Sequence, residues 1–479
     1  MTSVESKFKI KRSTKVKFAV GGIGFNLSAG LFAAWLMNFY VKVLEIDLFF
    51  WGLAWILYIV WNAINDPLIG YLGDRTRTKI GRRKPWLIIS APAISISFFL
   101  LFFPPILDPT LISSQWIYFF WLLITLLLYD TFYTVIGIMQ MALVTELSIL
   151  PEERASTGLF WAIGTLSGQV ITFILPFLLI VNEDPYSQNL PAFQFLALIF
   201  AIVGFVCLAI MSFWIKEKKE FMYSETEKMK FFESIKYTLK NKGFIIYTIF
   251  GFMLGYISSA IYSQVSFYVQ DVLQVTDNIL SQLPIFIFII ANLIGYPIGM
   301  FFNKKHGGKK AIIYLSFVAI GGLIILTFIS DFITSNILLF IIGIGYSGVF
   351  LLAPILMADL VDEDELKTGL RREGAYFGST ALFTKPAQSL AAAFTGYMLF
   401  LTGYNQSGGV QTTLAQFGIK LNIGLIPAIF LIFAVLILLK FPIDGSKAEY
   451  KEMKNRLEKL HDEKLESFLR LSGEELPDY

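Results

Sequence analysis

The sequence is a succession of apolar runs, each about 20 residues or more in length, which is the span a helix needs to cross a bilayer. Inside lipid there is no water to satisfy exposed backbone groups, so a run of this kind has to fold as a helix. Twelve such runs are present, six of them at residues 18–41, 48–73, 86–103, 116–144, 157–180 and 192–215. The other six, at 244–269, 279–302, 311–329, 337–361, 375–401 and 419–439, follow the longest hydrophilic stretch. The expected fold class is an all-α polytopic membrane protein with 12 transmembrane helices in two six-helix bundles. The expected divisions are an amino-terminal bundle at 1–215, a cytoplasmic linker at 216–243, a carboxyl-terminal bundle at 244–440 and a cytoplasmic tail at 441–479.

Composition agrees, because 56% of the residues are hydrophobic and only 16% charged, too few for a water-facing exterior. The charges are segregated. With both termini inside, lysine and arginine fall in the amino tail, the even-to-odd loops, the central loop and the carboxyl tail, leaving only Lys42 and Lys420 on the other side. The opposite loops hold Glu45, Asp47, Asp108, Glu183, Asp184, Asp271, Asp277 and Asp331. The positive-inside rule therefore predicts a multi-pass protein of the plasma membrane with cytoplasmic termini. A net charge of +3 that is distributed this way points to no nucleic-acid partner. The single cysteine, Cys207, excludes a disulfide framework, and His306 and His461 sit in hydrophilic stretches, so no metal site or cofactor is expected. No glycine-rich phosphate loop is present, which leaves ATP-driven transport and catalysis without support.

The halves repeat at an offset of about 220 residues, as a duplicated six-helix unit would. Ile69-Gly70-Tyr71 leads into Asp74-Arg75-Thr76-Arg77 and Arg82-Arg83-Lys84, and Ile294-Gly295-Tyr296 leads into Lys304-Lys305 and Lys309-Lys310. The stretch from Glu146 to Gly158 likewise matches that from Asp359 to Gly369.

Three charged residues, Asp66, Asp130 and Lys385, lie in the interior of the apolar runs, away from their ends, where a charge is costly and marks function. Asp66 has Asn62 one turn away on the same helix face and Asn65 beside it, so amide oxygens accompany a carboxylate that needs a cation, a proton or a polar partner. Lys385, in the eleventh run, is a counter-charge for Asp66 or else snorkels to the interface. Asp130 shares a helix face with Gly137 and either lines a cavity or bonds a neighbouring helix. On the cytoplasmic side Asp74 stands among Arg75, Arg77, Arg82 and Arg83, a set that forms a conformational latch or only sets topology.

The stretch Trp61-Asn62-Ala63-Ile64-Asn65-Asp66-Pro67 through Asp74-Arg75-Thr76-Arg77 and Gly81-Arg82-Arg83-Lys84-Pro85-Trp86 resembles the signature of the glycoside-pentoside-hexuronide:cation symporters. That family is the melibiose permease-like branch of the major facilitator superfamily. The stretch Ala358-Asp359-Leu360-Val361-Asp362-Glu363-Asp364-Glu365 through Arg371-Arg372-Glu373-Gly374 is similar to the loop between its helices ten and eleven. The resemblance implies a major facilitator fold and cation-coupled symport of a sugar or glycoside by alternating access, with H⁺ or Na⁺ as coupling ion. It implies a cation site at Asp66, Asn62, Asn65 and Thr134, with Lys385 near both cation and substrate.

Where the family has a carboxylate this chain has Asn62, a change that weakens Na⁺ neutralisation and favours H⁺. Sugar-binding members carry aspartate at Gly137, tryptophan at Met141 and arginine near Trp161, and Asn26 also replaces an aspartate. The expected substrate cavity comprises Asn26, Asp130, Gly137, Met141, Trp161, Phe350, Lys385 and Gln388. A lysolipid or other amphipathic solute is the alternative cargo, since lipid carriers occur among relatives of that family. A sensor or scaffold that does not transport is the alternative from another class. The expected partners are a small solute, a cation and the bilayer, around a monomer.

Overall fold

The computed structural model describes residues 9–147, 151–180, 186–215, 236–275, 277, 280–369, 373–406, 408–445 and 447–472, and these are helices joined by short turns. The first six membrane-scale helices are α1 (Arg12–Asn38), α2 (Leu48–Arg75), α3 (Lys84–Leu101), α4 (Ile112–Leu147), α5 (Pro151–Leu179) and α6 (Leu190–Trp214). The second six are α7 (Lys242–Phe267), α8 (Leu283–His306), α9 (Gly308–Phe328), α10 (Phe332–Thr368), α11 (Glu373–Leu401) and α12 (Thr413–Leu438). Ten of the twelve are long and apolar enough to cross a membrane by length and composition, and α5 and α11 match them in length at 29 residues each. The expected linker lies mostly outside the described residues.

Several helices outrun the apolar runs that announced them. The fourth and tenth reach Leu147 and Thr368, because a helix that emerges from the apolar slab goes on as a solvated helix until a residue ends it. At α10 that residue is Gly369, whose φ of 72° is the left-handed cap conformation.

In the first six helices, α1 packs on α5 and α6, and α4 on α2 and α3; in the second six, α10 packs on α8 and α9, and α7 on α11 and α12. Between the groups, α1 meets α7 and α2 meets α11. Small residues permit the closest approaches, as expected where lipid supplies no hydrophobic drive. A Cβ on Gly164 of α5 would sit 1.9 Å from the Ala19 carbonyl oxygen of α1, and one on Gly168 would sit 2.7 Å from the Ile23 oxygen. The α8–α10 seam uses Gly295 and Gly299 in the same way.

The duplication seen in the sequence reappears in local geometry. The first helix ends in a π-helical turn, Phe39–Val43, followed by Glu45 at φ 52°; the seventh ends in Tyr268–Val272, followed by Gln274 at φ 53°. At the opposite, basic end, Lys84 Nζ donates to the Phe213 carbonyl at the end of α6, and Lys309 Nζ donates to the Leu439 and Phe441 carbonyls at the end of α12. A cation on the orphan carbonyls of a helix terminus completes their bonding and complements the dipole.

The alternating charges of the carboxyl tail predict a solvated helix. The helix is present as α13 (Ala448–Ser472), and it is anchored on α10. Lys454 Nζ donates to Asp359 Oδ1 at 2.8 Å and Asp362 Oδ2 at 2.7 Å, and the Tyr450 hydroxyl donates to Asp359 Oδ1 at 2.9 Å. The tail is charged because it supplies the partner for the buried carboxylates at the end of α10. Burial pushes the Lys454 ammonium down, but Asp359 and Asp362 together outweigh this and hold its pKa above the ordinary lysine value. Because the shift is upward, the clasp is complete below the unfolded lysine pKa and is lost only as pH climbs through the raised one.

Two outcomes follow from this packing. Gly164→Val should remove most of the monodisperse protein seen by size exclusion after mild heating, whereas Gly70→Ala, whose Cβ would meet nothing within 4 Å, should be neutral or slightly stabilising. Lys454→Met should make α13 sensitive to limited proteolysis, with no change between pH 6 and 8 in the unaltered protein.

Candidate cation and solute site

The second helix sets Tyr58, Asn62 and Asp66 at a spacing of four, a stripe on one face, with Asn65 on its flank toward α4. All four are buried, Asp66 to the point of 9% exposure. Pro67 follows Asp66 inside the helix and Pro386 follows Lys385 inside α11. Each proline removes a donor from its helix, so local backbone polarity is high beside both charges.

Lys385 Nζ donates to Asp66 Oδ1 at 2.5 Å and to Thr134 Oγ1 at 3.0 Å, and Thr134 Oγ1 donates to the same Asp66 oxygen at 3.0 Å. The triangle joins α2, α4 and α11, and its ion pair crosses between the two six-helix groups. Asn62 Nδ2 crosses as well, donating to Ser389 Oγ at 3.0 Å and to the Lys385 carbonyl at 3.3 Å. Asn65 Nδ2 donates to Asp130 Oδ2 at 2.9 Å and to the Asp130 carbonyl at 3.1 Å. Asp130 is thereby tied to the residue beside Asp66.

The amide nitrogens of Asn62 and Asn65 are used up in these bonds, and their oxygens are not. Asn62 Oδ1 and Asn65 Oδ1 are both buried and without a hydrogen-bond partner. Buried polar atoms are nearly always paired, so two orphans beside a carboxylate mark a place made for a donor or a cation. Carboxylate, amide and hydroxyl oxygens are the donor set that a hard cation takes. With Asp66 and Asp130 ionised and Lys385 protonated, the cluster carries one net negative charge.

Next to Thr134 on α4, Tyr133 belongs to an aromatic group. Phe25 stacks on Tyr133 with centroids 4.4 Å apart and lies 5.6 Å from the Trp161 ring. Nothing but Phe25, at 3.9 Å, would meet a Cβ on Gly137, so the missing carboxylate there leaves open space beside a ring. Met141 lies on the stripe of Thr134 and Gly137 and is 68% exposed, and Phe350, one turn from Tyr346 on α10, is 53% exposed. Gln388, one turn from Lys385, is exposed as well. Asn26 is only half-buried and packs toward Gly168 in the α1–α5 seam.

In the proposed latch, Arg75 and Arg77 are exposed, Arg82 and Arg83 are buried, and the Asp74 side chain lies outside the described residues. Sequence reading missed Tyr58, Ser389, Phe25 and Tyr133. Of these, Tyr58 and Ser389 were marked by their spacing of four from Asn62 and Lys385.

A family model described as MFS/sugar transport protein matches residues 17–445. The sodium-dependent lysophosphatidylcholine symporter 1 of Gallus gallus is 25% identical over 96% of this chain and 91% of its own length. An uncharacterized symporter, YnaJ, of Bacillus subtilis (strain 168) is 25% identical over 95% of this chain and 96% of its own. Among solved structures, a D-xylose-proton symporter superposes with a TM-score of 0.66 at 15% identity, covering 90% of this chain and 97% of that one, a likeness of fold. With the family match running over most of its length, the chain belongs to the MFS/sugar transport protein family of the major facilitator superfamily and is a membrane transporter, not an enzyme.

Proposed function

We propose that the protein is a sodium-coupled symporter, of the cation-symporter branch, for an amphipathic solute with an anionic group, a lysophospholipid being the type. The observation that carries this reading is the sharing of Asp66: a lysine of the opposite bundle holds it, while two buried amide oxygens beside it have no partner. Without an external cation, Lys385 neutralises Asp66. A Na⁺ entering among Asp66, Asn62, Asn65 and Thr134 takes over that task, satisfies the orphan oxygens and releases the lysine. One monovalent cation balances the cluster's residual charge. The orphan oxygens favour Na⁺ over the H⁺ favoured by sequence, since a proton on Asp66 supplies one donor and satisfies at most one of the two, whereas a cation can take both. The sodium dependence in the name of the Gallus gallus relative supports this choice.

Once released, Lys385 is a desolvated cation facing the cavity, and an anionic group on the solute is its natural partner. The Phe25, Tyr133 and Trp161 rings, with Met141 and Phe350, suit a hydrocarbon chain better than a cluster of hydroxyls. The basic end, with Lys84 and Lys309, faces the cytoplasm, and the Lys42 end faces outward.

Purified protein should be stabilised against heat by NaCl and not by choline chloride, by about 2.7 kcal/mol once Na⁺ reaches about a hundred times its Kd. Asp66→Asn should abolish the effect and Asn62→Leu should weaken it. A midpoint that follows pH and ignores Na⁺ would replace sodium by a proton. Lys385→Met should separate the two ligands. Na⁺ should bind roughly tenfold more tightly once its intramolecular competitor is gone, because a charged hydrogen bond is worth about 1.5–3 kcal/mol. Counterflow of lysophosphatidylcholine in liposomes should be lost in the same variant. Counterflow of a glycoside, with no effect of lysophosphatidylcholine, would return the solute to the sugars.

A further inference from the structure

Lys42, one of the two basic residues that violate the charge bias, is only 6% exposed. Its ammonium donates to Asp271 Oδ2 at 2.7 Å and to Gln270 Oε1 at 2.6 Å, and it lies 4.7 Å from the centre of the Phe267 ring. Asp271 also accepts from the Tyr404 hydroxyl at 2.9 Å, and its carbonyl accepts from Gln416 Nε2 at 3.1 Å. Lys42 and Asp271 occupy the same place, the fourth residue, in the π-helical turns Phe39–Val43 and Tyr268–Val272. The flanking bonds match as well: Leu44 N to Phe39 O and Ile46 N to Tyr40 O in one half, Leu273 N to Tyr268 O and Val275 N to Val269 O in the other. Equivalent positions of the two repeats therefore meet, carrying opposite charges.

One turn deeper, Asn38 Nδ2 donates to Ser266 Oγ at 2.8 Å, while Asn38 Oδ1 and Gln264 Oε1 are buried without partners. The seam between α1 and α7 is buried, polar and incompletely bonded.

We propose that the Lys42–Asp271 pair is the outer gate of the transporter, and that its polarity exists so that the closed seam can part. A buried ion pair is no more stabilising than a well-packed apolar pair, yet removal of one partner strands a charge. Opening returns water to both ions and to the orphan oxygens of Asn38 and Gln264, which offsets the lost contacts. An apolar seam of the same shape would close as tightly and reopen far more slowly. The inference rests on the two-bundle fold and not on the identity of the solute.

The test is the rate at which a membrane-impermeant maleimide, added outside intact cells, labels a cysteine at Ser259 in the full chain with Cys207→Ser. Ser259 is half-buried on α7, its hydroxyl donating at 3.2 Å to the carbonyl of Gln388, an exposed residue of α11. Asp271→Ala should raise the rate roughly tenfold or more, since an unpaired buried charge penalises only the closed state. Lys42→Met combined with Asp271→Leu should lower it below the parental rate. Parental labelling in Asp271→Ala, or labelling in the double variant as fast as in Asp271→Ala, would overturn the proposal. If Asp271→Ala fails to reach the membrane, the exchanged pair, Lys42→Asp with Asp271→Lys, is read in its place. Near-parental labelling then supports the gate, and labelling tenfold faster rejects it.

Discussion

A carboxylate inside a membrane protein has to be neutralised by something, and in this chain the neutralising group comes from the other half of the molecule. Asp66 rides on α2 and Lys385 on α11, 2.5 Å apart at the contact. Any cation that takes Asp66 takes it from a lysine that was holding two bundles together. On the proposed reading, ion binding and movement of the bundles are a single equilibrium, with no relay of side chains needed to connect them. The prolines that follow both residues fit this role, since a helix interrupted next to its charge can adjust the charge without moving as a whole.

The duplicated architecture limits which residues can be alike. Far from the approximate two-fold axis, equivalent positions never meet and can keep the same residue: Lys84 and Lys309 cap the ends of α6 and α12 in the same way. At the axis, equivalent positions face one another, and identical charges there would repel in a low dielectric. Lys42 and Asp271 stand at that point, on the same backbone turn, with opposite signs. Divergence between the repeats is thus forced where α1 meets α7 and optional elsewhere.

The number of helices, their order and the duplication were legible in the sequence because lipid as solvent imposes one rule on every span. The ends of α4 and α10 were not, since hydropathy reports where a helix leaves the apolar slab and not where its hydrogen bonds stop. Asp66 and Lys385 stood out as charges among apolar neighbours, and they meet. Asp130 stood out equally, but its partner was settled by rotation of α2 about its axis, which turns Asn65 toward α4. Phe25 and Tyr133 carried no signal at all: a phenylalanine that lines a cavity is indistinguishable in sequence from one that faces lipid. Lys42 carried a signal as an exception to the charge bias, but its partner Asp271 is set by the packing of α1 on α7, which no local pattern reports.

Charge also restricts what the loaded carrier is. With Lys385 on Asp66 the cluster keeps one net negative charge, that of Asp130 beside Asn65. On the proposed reading, Na⁺ cancels it, so the cation-loaded site is neutral and Lys385 is left to face an anionic group. A zwitterionic solute then adds no net charge: its anion meets Lys385, and its cationic end remains for the aromatic wall of Phe25, Tyr133 and Trp161, where a ring face attracts a cation. On that reading, with Asp130 ionised, the loaded carrier crosses neutral and the empty carrier returns with one negative charge, so each cycle would move one positive charge inward and the membrane potential would add to the sodium gradient. A purely anionic solute would give the loaded step one negative charge as well, making the cycle electroneutral and losing the assistance, which gives a physical reason for a zwitterion as the preferred cargo.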